Sequence, residues 1–189
     1  MKKLIPLTVL IIGIFSASTF AQFEIGASYE LRDIDPQNGF GLRVEKGILE
    51  KLPLINLSLR LHGSYFSEEN NVDENNFSYS EDLTNYDVGV AAIGGLSVGL
   101  LEPYVGLGLG TENYEKVVEN YQGDPTQRPE PGDDNNLYWN MLVGAKVTII
   151  PLIKPFVEYR YSNKSLDEPT LEGIQTHNGR VMFGVVLSF

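Results

Sequence analysis

The chain has 189 residues, with 14 Lys and Arg against 25 Asp and Glu, a net charge of −11 and no cysteine. An acidic chain lacks the Lys/Arg clusters that bind nucleic acid, so nucleic acid is excluded as a partner. The absence of cysteine excludes disulfides and thiolate metal ligands, and the length suits one folded domain.

The N-terminal segment has the layout of a secretory signal peptide. Lys2 and Lys3 precede an apolar run from Leu4 to Phe15, and Thr19 and Ala21 occupy positions −3 and −1 of a cleavage point before Gln22. The run is short for a membrane helix, which needs about 20 residues. We therefore predict a cleaved signal peptide at 1–21, rather than an uncleaved anchor, and a mature domain at 22–189. Cleavage removes two lysines and takes the net charge to −13.

Eight later segments alternate apolar and polar residues with the period of a β-strand, and none shows a helical stripe. Strands near nine to eleven residues long would suit a tilted membrane crossing. The alternating segments are Phe23–Arg32, Phe40–Glu45, Ile55–His62, Tyr86–Ala92, Val105–Gly110, Trp139–Ile149, Val157–Ser162 and Arg180–Phe189.

The connections between these segments also alternate. Short ones include "EKLPL" at 50–54, a stretch around Ser97–Glu102 and "PLIKP" at 151–155. The four others are mostly longer, polar and carry most of the acidic residues: Asp33–Gly39, Glu68–Thr84, Asn113–Asn136 and Asn163–Asn178. This alternation predicts an all-β, eight-stranded antiparallel up-and-down barrel whose rims face different compartments, with both chain ends on the short-turn side.

Alternation alone does not say which face of the barrel contacts water. A soluble lipocalin-like barrel turns its apolar face inward, and a transmembrane barrel turns it outward. Here the polar face combines many glycines with charges of both signs, which suits a narrow interior where opposite charges pair. We predict a transmembrane barrel filled by this network rather than pierced by a pore. The predicted network comprises Arg43, Glu45, Arg60, His62, Lys146, Glu158 and Arg160, and Arg180 shares their face.

Aromatic residues on the apolar face collect near the strand ends, as they do at the two interfaces of a membrane barrel. Phe23 and Phe189 fall near the short-turn rim. Lys46 is the one charge on this face, and it is close enough to the short-turn rim to snorkel. The predicted girdle at the long-loop rim comprises Tyr29, Phe40, Tyr65, Tyr86, Trp139 and Tyr161.

With these features the chain resembles the small Gram-negative outer-membrane barrels of the OmpA/OmpX-like type, the outer membrane protein β-barrel domain family. The resemblance rests on the signal peptide, the eight strands, the alternating connections and the terminal "VMFGVVLSF". It implies a monomer surrounded by outer-membrane lipid and lipopolysaccharide. It also implies that Phe189, the terminal aromatic residue, is read by the barrel assembly machinery as an assembly signal.

Residues that could carry catalysis are few. His62 and Ser64 in "HGS" could form part of a hydrolytic site, and outer-membrane lipid A deacylases are eight-stranded barrels with a His, a Ser and an acid. Strand parity places both residues in the lumen, however, and in "YRYSN" Arg160 stands where the deacylase motif has its histidine. His177 is predicted to lie at the end of a loop. The acidic loops do not match an EF-hand, and the sequence indicates no cofactor or metal site.

We therefore expect a non-enzymatic outer-membrane protein with a structural or adhesive role, in which long acidic loops meet an extracellular partner. Two alternatives stay open at this point. The first is a lipid A-modifying barrel enzyme. The second is a soluble periplasmic barrel with a hydrophobic ligand.

Overall fold

The computed structural model describes residues 23–49, 55–74, 77–124, 126, 128–164 and 177–189. The predicted signal peptide and its cleavage point lie outside the described residues. No helix in the described part of the chain is long and apolar enough to cross a membrane. The strands are β1 Phe23–Arg32, β2 Asn38–Leu49, β3 Ile55–Glu74, β4 Phe77–Leu96, β5 Leu101–Gln122, β6 Gly132–Val147, β7 Ile153–Asn163 and β8 His177–Ser188.

Each strand pairs with the next in antiparallel fashion, and β8 pairs back onto β1 to close a barrel. The closing register extends from Glu24 opposite Ser188 to Arg32 opposite Arg180. At the short-turn rim, the Phe189 N–H donates to the Phe23 carbonyl oxygen at 2.8 Å. Closure leaves no unpaired strand edge in the barrel wall. The hydrocarbon core of a membrane requires this, because it offers no water to bond exposed backbone groups. The predicted eight-stranded up-and-down barrel is confirmed.

The barrel wall turns its apolar side chains outward. Leu107, on the outer face of β5, is 64% exposed, whereas Arg60 on β3 is 1% exposed. A protein in water would not surround itself with such a belt, because large contiguous apolar surfaces mark contact with another apolar phase. The soluble lipocalin-like alternative is therefore wrong, since it needs the apolar face inside.

The height of the apolar belt matches a membrane. On β5 the outward residues are apolar from Leu101 to Leu109, and Thr111, Asn113 and Glu115 follow on the same face. Nine residues at ~3.3 Å each, tilted by ~40°, span roughly 23 Å, close to the ~25 Å band of outer-membrane barrels. The membrane therefore ends near Thr111 on this strand.

Four strands are much longer than the nine to eleven residues predicted. β3 and β4 have 20 residues each, β5 has 22 and β6 has 16. Most of the predicted loops Glu68–Thr84 and Asn113–Asn136 is thus strand, paired as far as Glu74 opposite Phe77 and Ser78 opposite Gln122. The apolar alternation stops at the belt because both faces of a sheet outside the membrane can contact water, while the backbone pairing continues.

We call the part of β3–β5 beyond the belt the protruding sheet: Ser67–Glu74, Phe77–Thr84 and Glu112–Gln122. It has a small apolar face of its own, on which Leu83 and Val118 are buried. Near its tip the rings of Phe77 and Tyr79 stack with centroids 6.1 Å apart, and Tyr121 lies 6.4 Å from Tyr79. These contacts explain why a polar segment holds a regular sheet.

A β-bulge bends β5 near the top of the protruding sheet. The register with β4 shifts between Ser78 and Ser80, and Asn120 adopts a φ of 54°. Asparagine tolerates this left-handed conformation better than most residues, and an extra residue in one strand is what defines a bulge.

Glycines let the strands approach one another inside the barrel. A Cβ atom at any of these positions would meet atoms of neighbouring strands at less than about 3.2 Å. The narrow interior of an eight-stranded barrel requires such small residues. They are Gly26, Gly41, Gly89, Gly106, Gly108, Gly110, Gly144 and Gly184.

Gly184→Ala should destabilise the barrel at the seam between β8 and β1. The new Cβ would collide with the Ala27 carbonyl oxygen and lie 2.6 Å from the Phe156 ring. We expect the free energy of unfolding to fall by roughly 1–3 kcal/mol, the usual effect of overpacking. Urea unfolding in micelles, followed by the fluorescence of the single tryptophan Trp139, measures the change. Gly94→Ala is the control, because its Cβ would meet only Leu57 at 3.7 Å; equal losses in both variants would contradict the prediction.

Candidate functional site

The interior begins, at the short-turn end, with two lysines between three carboxylates. Lys146 Nζ lies 2.5 Å from Glu24 and 3.2 Å from Glu45. Lys154 Nζ lies 3.0 Å from Glu24 and 3.1 Å from Glu102. A cavity of about 50 Å³ adjoins this cluster, and its walls combine Glu24, Glu45, Glu102 and Lys146 with apolar residues such as Leu57 and Ile93.

Glu158 forms the centre of the interior. Its carboxylate accepts from Arg43 at 3.1 Å, from Arg160 at 3.2 Å, from Arg60, and from the Tyr104 hydroxyl at 2.8 Å. The Glu158 side chain is fully shielded from solvent. A buried charge is tolerated only when it is paired and hydrogen-bonded. Here one carboxylate is the common ion-pair partner of three guanidinium groups.

Arg60 and the Phe156 ring link this centre to the surrounding wall. Arg60 reaches down to Glu45 at 3.0 Å, so it bridges the central and lower clusters. The guanidinium of Arg43 lies 3.4 Å from the centroid of Phe156. Such stacking of a desolvated cation on an aromatic face is favourable.

A third cluster lies above the centre, around Asp87. Arg180 approaches Asp87 at 2.5 Å and Glu30 at 3.4 Å. The Tyr138 hydroxyl donates to Asp87 at 3.2 Å and also lies 3.2 Å from His62 Nε2. His62 therefore belongs to a buried chain of hydrogen bonds.

Glu112 organises the uppermost cluster, at the level where the belt ends. Arg32 lies 3.3 Å and Lys164 lies 3.0 Å from its carboxylate, and Asn85 donates to it at 2.8 Å. The Arg32 guanidinium also stacks on Phe66 at 4.2 Å. Ion pairs thus follow one another from Glu24 near one rim to Glu112 near the other, an arrangement that fits a filled barrel.

The structure places all seven residues of the predicted interior network inside the barrel and adds others. Lys154, predicted within a short turn, is the second residue of β7, and Lys164, predicted in a loop, is buried against Glu112. Both have the even-number parity of Glu158 and Arg160, so extending the predicted segment Val157–Ser162 by three residues at its start and two at its end would have found them. The residues that the prediction did not assign to the network are Glu24, Glu30, Arg32, Asp87, Glu112, Lys154 and Lys164.

The arrangement needed for a lipid-modifying enzyme is not found among the described residues. His62 and Ser64 are 3% and 6% exposed and face the interior, away from lipid. His62 Nδ1 and the Ser64 hydroxyl have no hydrogen-bond partner in the described part of the chain. His177 is the first residue of β8 rather than part of a loop, and its ring stacks on Tyr161 at 6.3 Å. Within the described ranges, no group of three His, Asp or Glu residues could hold a metal.

The six residues of the predicted girdle lie on the outer face. Four of them form one continuous row across β1–β4, with Tyr29 opposite Phe40, Phe40 opposite Tyr65, and Tyr65 opposite Tyr86. The rings of Tyr29 and Phe40 meet edge to face at 5.5 Å. Trp139 and Tyr161 form a second contact on β6 and β7, with centroids 5.9 Å apart.

An apolar exterior, aromatic rings at its upper rim and a paired charged interior define the fold of a small eight-stranded transmembrane β-barrel. No protein-family model matches this chain, and no curated protein matches it in sequence.

Solved structures of outer-membrane proteins do match the fold. A major outer-membrane protein of Thermus thermophilus is 14% identical with a TM-score of 0.62, covering 89% of this chain and 99% of that one. Neisserial surface protein A is 14% identical with a TM-score of 0.59 and coverages of 89% and 97%. The N-terminal β-barrel domain of Pseudomonas aeruginosa OprF is 16% identical with a TM-score of 0.54 and coverages of 89% and 97%. At these identities the likeness shows the fold of small outer-membrane barrels.

Proposed function

We propose that this chain is exported by a cleaved signal peptide at 1–21 and resides in the outer membrane. There it is a non-enzymatic protein whose protruding sheet binds a basic partner outside the cell. Because paired side chains fill its interior, we propose that the barrel anchors the protruding sheet in the membrane and does not conduct solutes. The observation that carries the proposal is the free upper edge of β3, which stands beyond the membrane belt and is lined by acidic side chains.

The edge arises because β2 is shorter than β3. The pairing of these two strands ends at Phe66 opposite Gly39, whereas β3 continues to pair with β4 as far as Glu74. From Ser67 to Glu74, no described strand pairs with the other side of β3. Unpaired backbone N–H and C=O groups on such an edge are a template for an added strand.

The charge of the protruding sheet selects among possible partners. Its single basic residue is Lys116, which pairs with Glu81 at 3.0 Å. Like charges would oppose the pairing of this edge with a second copy of the chain and favour a basic extended segment. Besides Glu112, which is buried and paired with Arg32 and Lys164, the acidic residues of the sheet are Glu68, Glu69, Asp73, Glu74, Glu81, Asp82, Glu115 and Glu119.

One structural neighbour offers a useful contrast. Ail of Yersinia pestis, 15% identical with a TM-score of 0.51 and coverages of 89% and 97%, was solved with the heparin analogue sucrose octasulfate. An acidic sheet would repel such a polysulfate. The connection after β5 stays acidic too, since the Thr126 N–H donates to Asp124 at 3.0 Å and lowers the pKa of that carboxyl.

Binding of a strand-forming peptide tests the proposal. The intact barrel in nanodiscs should bind a peptide of alternating Lys and Val, and not its Glu and Val counterpart, by interferometry. The double variant Glu69→Lys with Asp73→Lys should weaken this binding by at least about tenfold, since opposing charges are replaced by like charges. Asp133→Lys, on β6 away from the edge, should change it less than about twofold. Equal weakening in both variants, or equal binding of both peptides, would overturn the proposal.

We also propose that outer-membrane lipid and lipopolysaccharide surround the apolar belt and that the barrel works as a monomer. The outward Phe189 side chain, 67% exposed at the short-turn rim, suits a role in the lower girdle. Its role as the signal read by the assembly machinery stays a prediction.

A further inference from the structure

A groove crosses the outer face of the barrel from β4 to β7. It has a volume of about 590 Å³ and lies within the apolar belt. Its two walls are rows of directly paired outward residues. One row starts at Gly94 on β4 and follows the paired residues of β5 and β6 to Tyr159 on β7. The other row runs in the same way from Ala92 to Tyr161. Among the described residues that line the groove, none is charged.

The groove has the width of a single hydrocarbon chain. The two rows are two residues apart along each strand, which separates them by ~6.7 Å. The floor between them is the backbone of β5 and β6 at Gly106 and Leu142, which are paired and face the interior. On either side of this floor, Val105 and Leu107 stand outward and are exposed. A chain lying in the groove is therefore contacted on three sides, whereas a second barrel is too broad to enter it.

The groove connects the upper girdle with the lower part of the belt. Paired residues lie across the strands. Because the strands of outer-membrane barrels tilt by ~40°, the groove inclines by ~50° from the membrane normal. At its β4 end, Ala92 and Gly94 lie far below the girdle residue Tyr86. At its β7 end, Tyr161 itself belongs to the girdle. The groove thus leads from the level of the lipid head groups into the hydrocarbon core.

Polar side-chain atoms occur only at the upper end among the described residues that line the groove, as the hydroxyls of Tyr159 and Tyr161. The ring of Tyr161 lies 5.9 Å from Trp139 and 6.3 Å from His177, centroid to centroid. Phenol and imidazole groups both form hydrogen bonds, and aromatic rings with one polar end suit the interface of a membrane. The arrangement fits a molecule with one polar end and one apolar chain.

We propose that this groove binds one acyl chain of a membrane lipid, with its head group beside Tyr161 and His177 and its chain end near Gly94. The site depends on the proposed location in a membrane and is independent of the protruding sheet. The belt contacts hydrocarbon, so the occupant is an acyl chain rather than a water-soluble ligand. Dispersion contacts on three sides hold this chain more firmly than lipid elsewhere on the convex wall.

Filling the lower end of the groove tests the site. A Cβ on Gly94 would meet only Leu57 at 3.7 Å, so the double variant Ala92→Leu with Gly94→Leu blocks the groove and leaves the wall in place. Ala27→Leu is the matched control, because Ala27 is exposed on the outer face of β1, on another side of the barrel. A gel of boiled and unboiled samples checks that each variant is folded.

Crystals grown from a monoolein mesophase would show the occupant. Monoolein has a single acyl chain and a glycerol head group. We expect ordered density for its chain along the groove, from Tyr161 to Gly94, in the unmodified barrel and in Ala27→Leu. The density should be lost in the groove-filled double variant. A groove without an ordered chain, a chain that persists in the double variant, or a second barrel packed on this face would overturn the proposal.

Quenching of Trp139 gives an independent test in solution. Trp139 contacts Tyr161 at the upper end of the groove. Lysophosphatidylcholine brominated near its head group is titrated into the barrel in CHAPS micelles, because the rigid steroid plate of CHAPS is too broad for the groove. Half-maximal quenching should need at least about threefold more of this lipid in the double variant than in Ala27→Leu, since the chain loses several dispersion contacts.

The possible failures of this titration are distinguishable. Equal quenching curves for the folded double variant and Ala27→Leu would overturn the lipid site and leave the proposed membrane location and the binding at the protruding sheet intact. An unmodified barrel that stays unfolded in micelles and lipid would overturn the membrane location, and the lipid site with it.

Discussion

Replacing Glu158 with glutamine should lower the free energy of unfolding by about 3–5 kcal/mol, the usual cost of breaking a buried ion pair by removing one partner. The carboxylate accepts from Arg43, Arg60 and Arg160 at once. Glutamine retains one acceptor oxygen and the shape of the side chain, but it removes the negative charge that these guanidinium groups share. The urea midpoint in micelles, followed by the fluorescence of Trp139, measures the loss.

Glu119→Gln provides the matched control for this change. Glu119 is exposed on β5 in the protruding sheet, so neutralising it should alter stability by less than about 0.5 kcal/mol. If Glu158→Gln were as stable as this control, Glu158 would not hold the centre of the interior together. A gel of boiled and unboiled samples would show whether each variant still reaches the folded barrel.

Leu107→Arg should destabilise the barrel by about 2–4 kcal/mol, the cost of an arginine near the lipid-facing midplane of such a barrel. Leu107 lies outward in the apolar belt of β5, one outward position from its middle residue Val105, and is 64% exposed. An arginine there would hold its charge in hydrocarbon or distort the bilayer to reach water. Folding of the purified chain into lipid vesicles, with urea unfolding of the product, gives the value.

The same strand supplies the control for this prediction. Val117 has the same outward parity on β5 as Leu107, but it lies beyond Thr111, in the protruding sheet. Val117→Arg should therefore change stability by less than about 0.5 kcal/mol. A similar loss for both variants would mean that the belt extends further up β5 than its apolar residues indicate.

Sequence alternation predicted the barrel well because a wall between lipid and a polar interior forces period-2 patterning on every strand. β1 shows this most clearly, since its predicted and observed bounds are both Phe23–Arg32. Strand parity also predicted that Arg43, Glu45 and Arg60 face the interior of the barrel. The same constraint vanishes above the membrane, which is why the alternation predicts loops where the upper halves of β3–β5 are strands.

The pairing inside the barrel could not be predicted from the same pattern. Parity says that Glu158 and Arg60 face inward, but it does not say that they meet across the interior. That contact depends on the stagger of the strands around the barrel, which sets which levels of β3 and β7 coincide.

The length of β3 has a mechanical consequence. The paired residues beyond Phe66, Ser67 to Glu74, at ~3.3 Å each, carry the tip of the hairpin roughly 26 Å along the strand direction. A pull on that tip acts along the strands, so the backbones of β3 and β4 carry it together, and the hydrogen bonds between β4 and β5 are sheared at the same time instead of opening one after another. The hairpin is therefore a stiff extension of the barrel wall. A force applied at its end reaches the membrane-spanning part of the strands with little stretching of the chain.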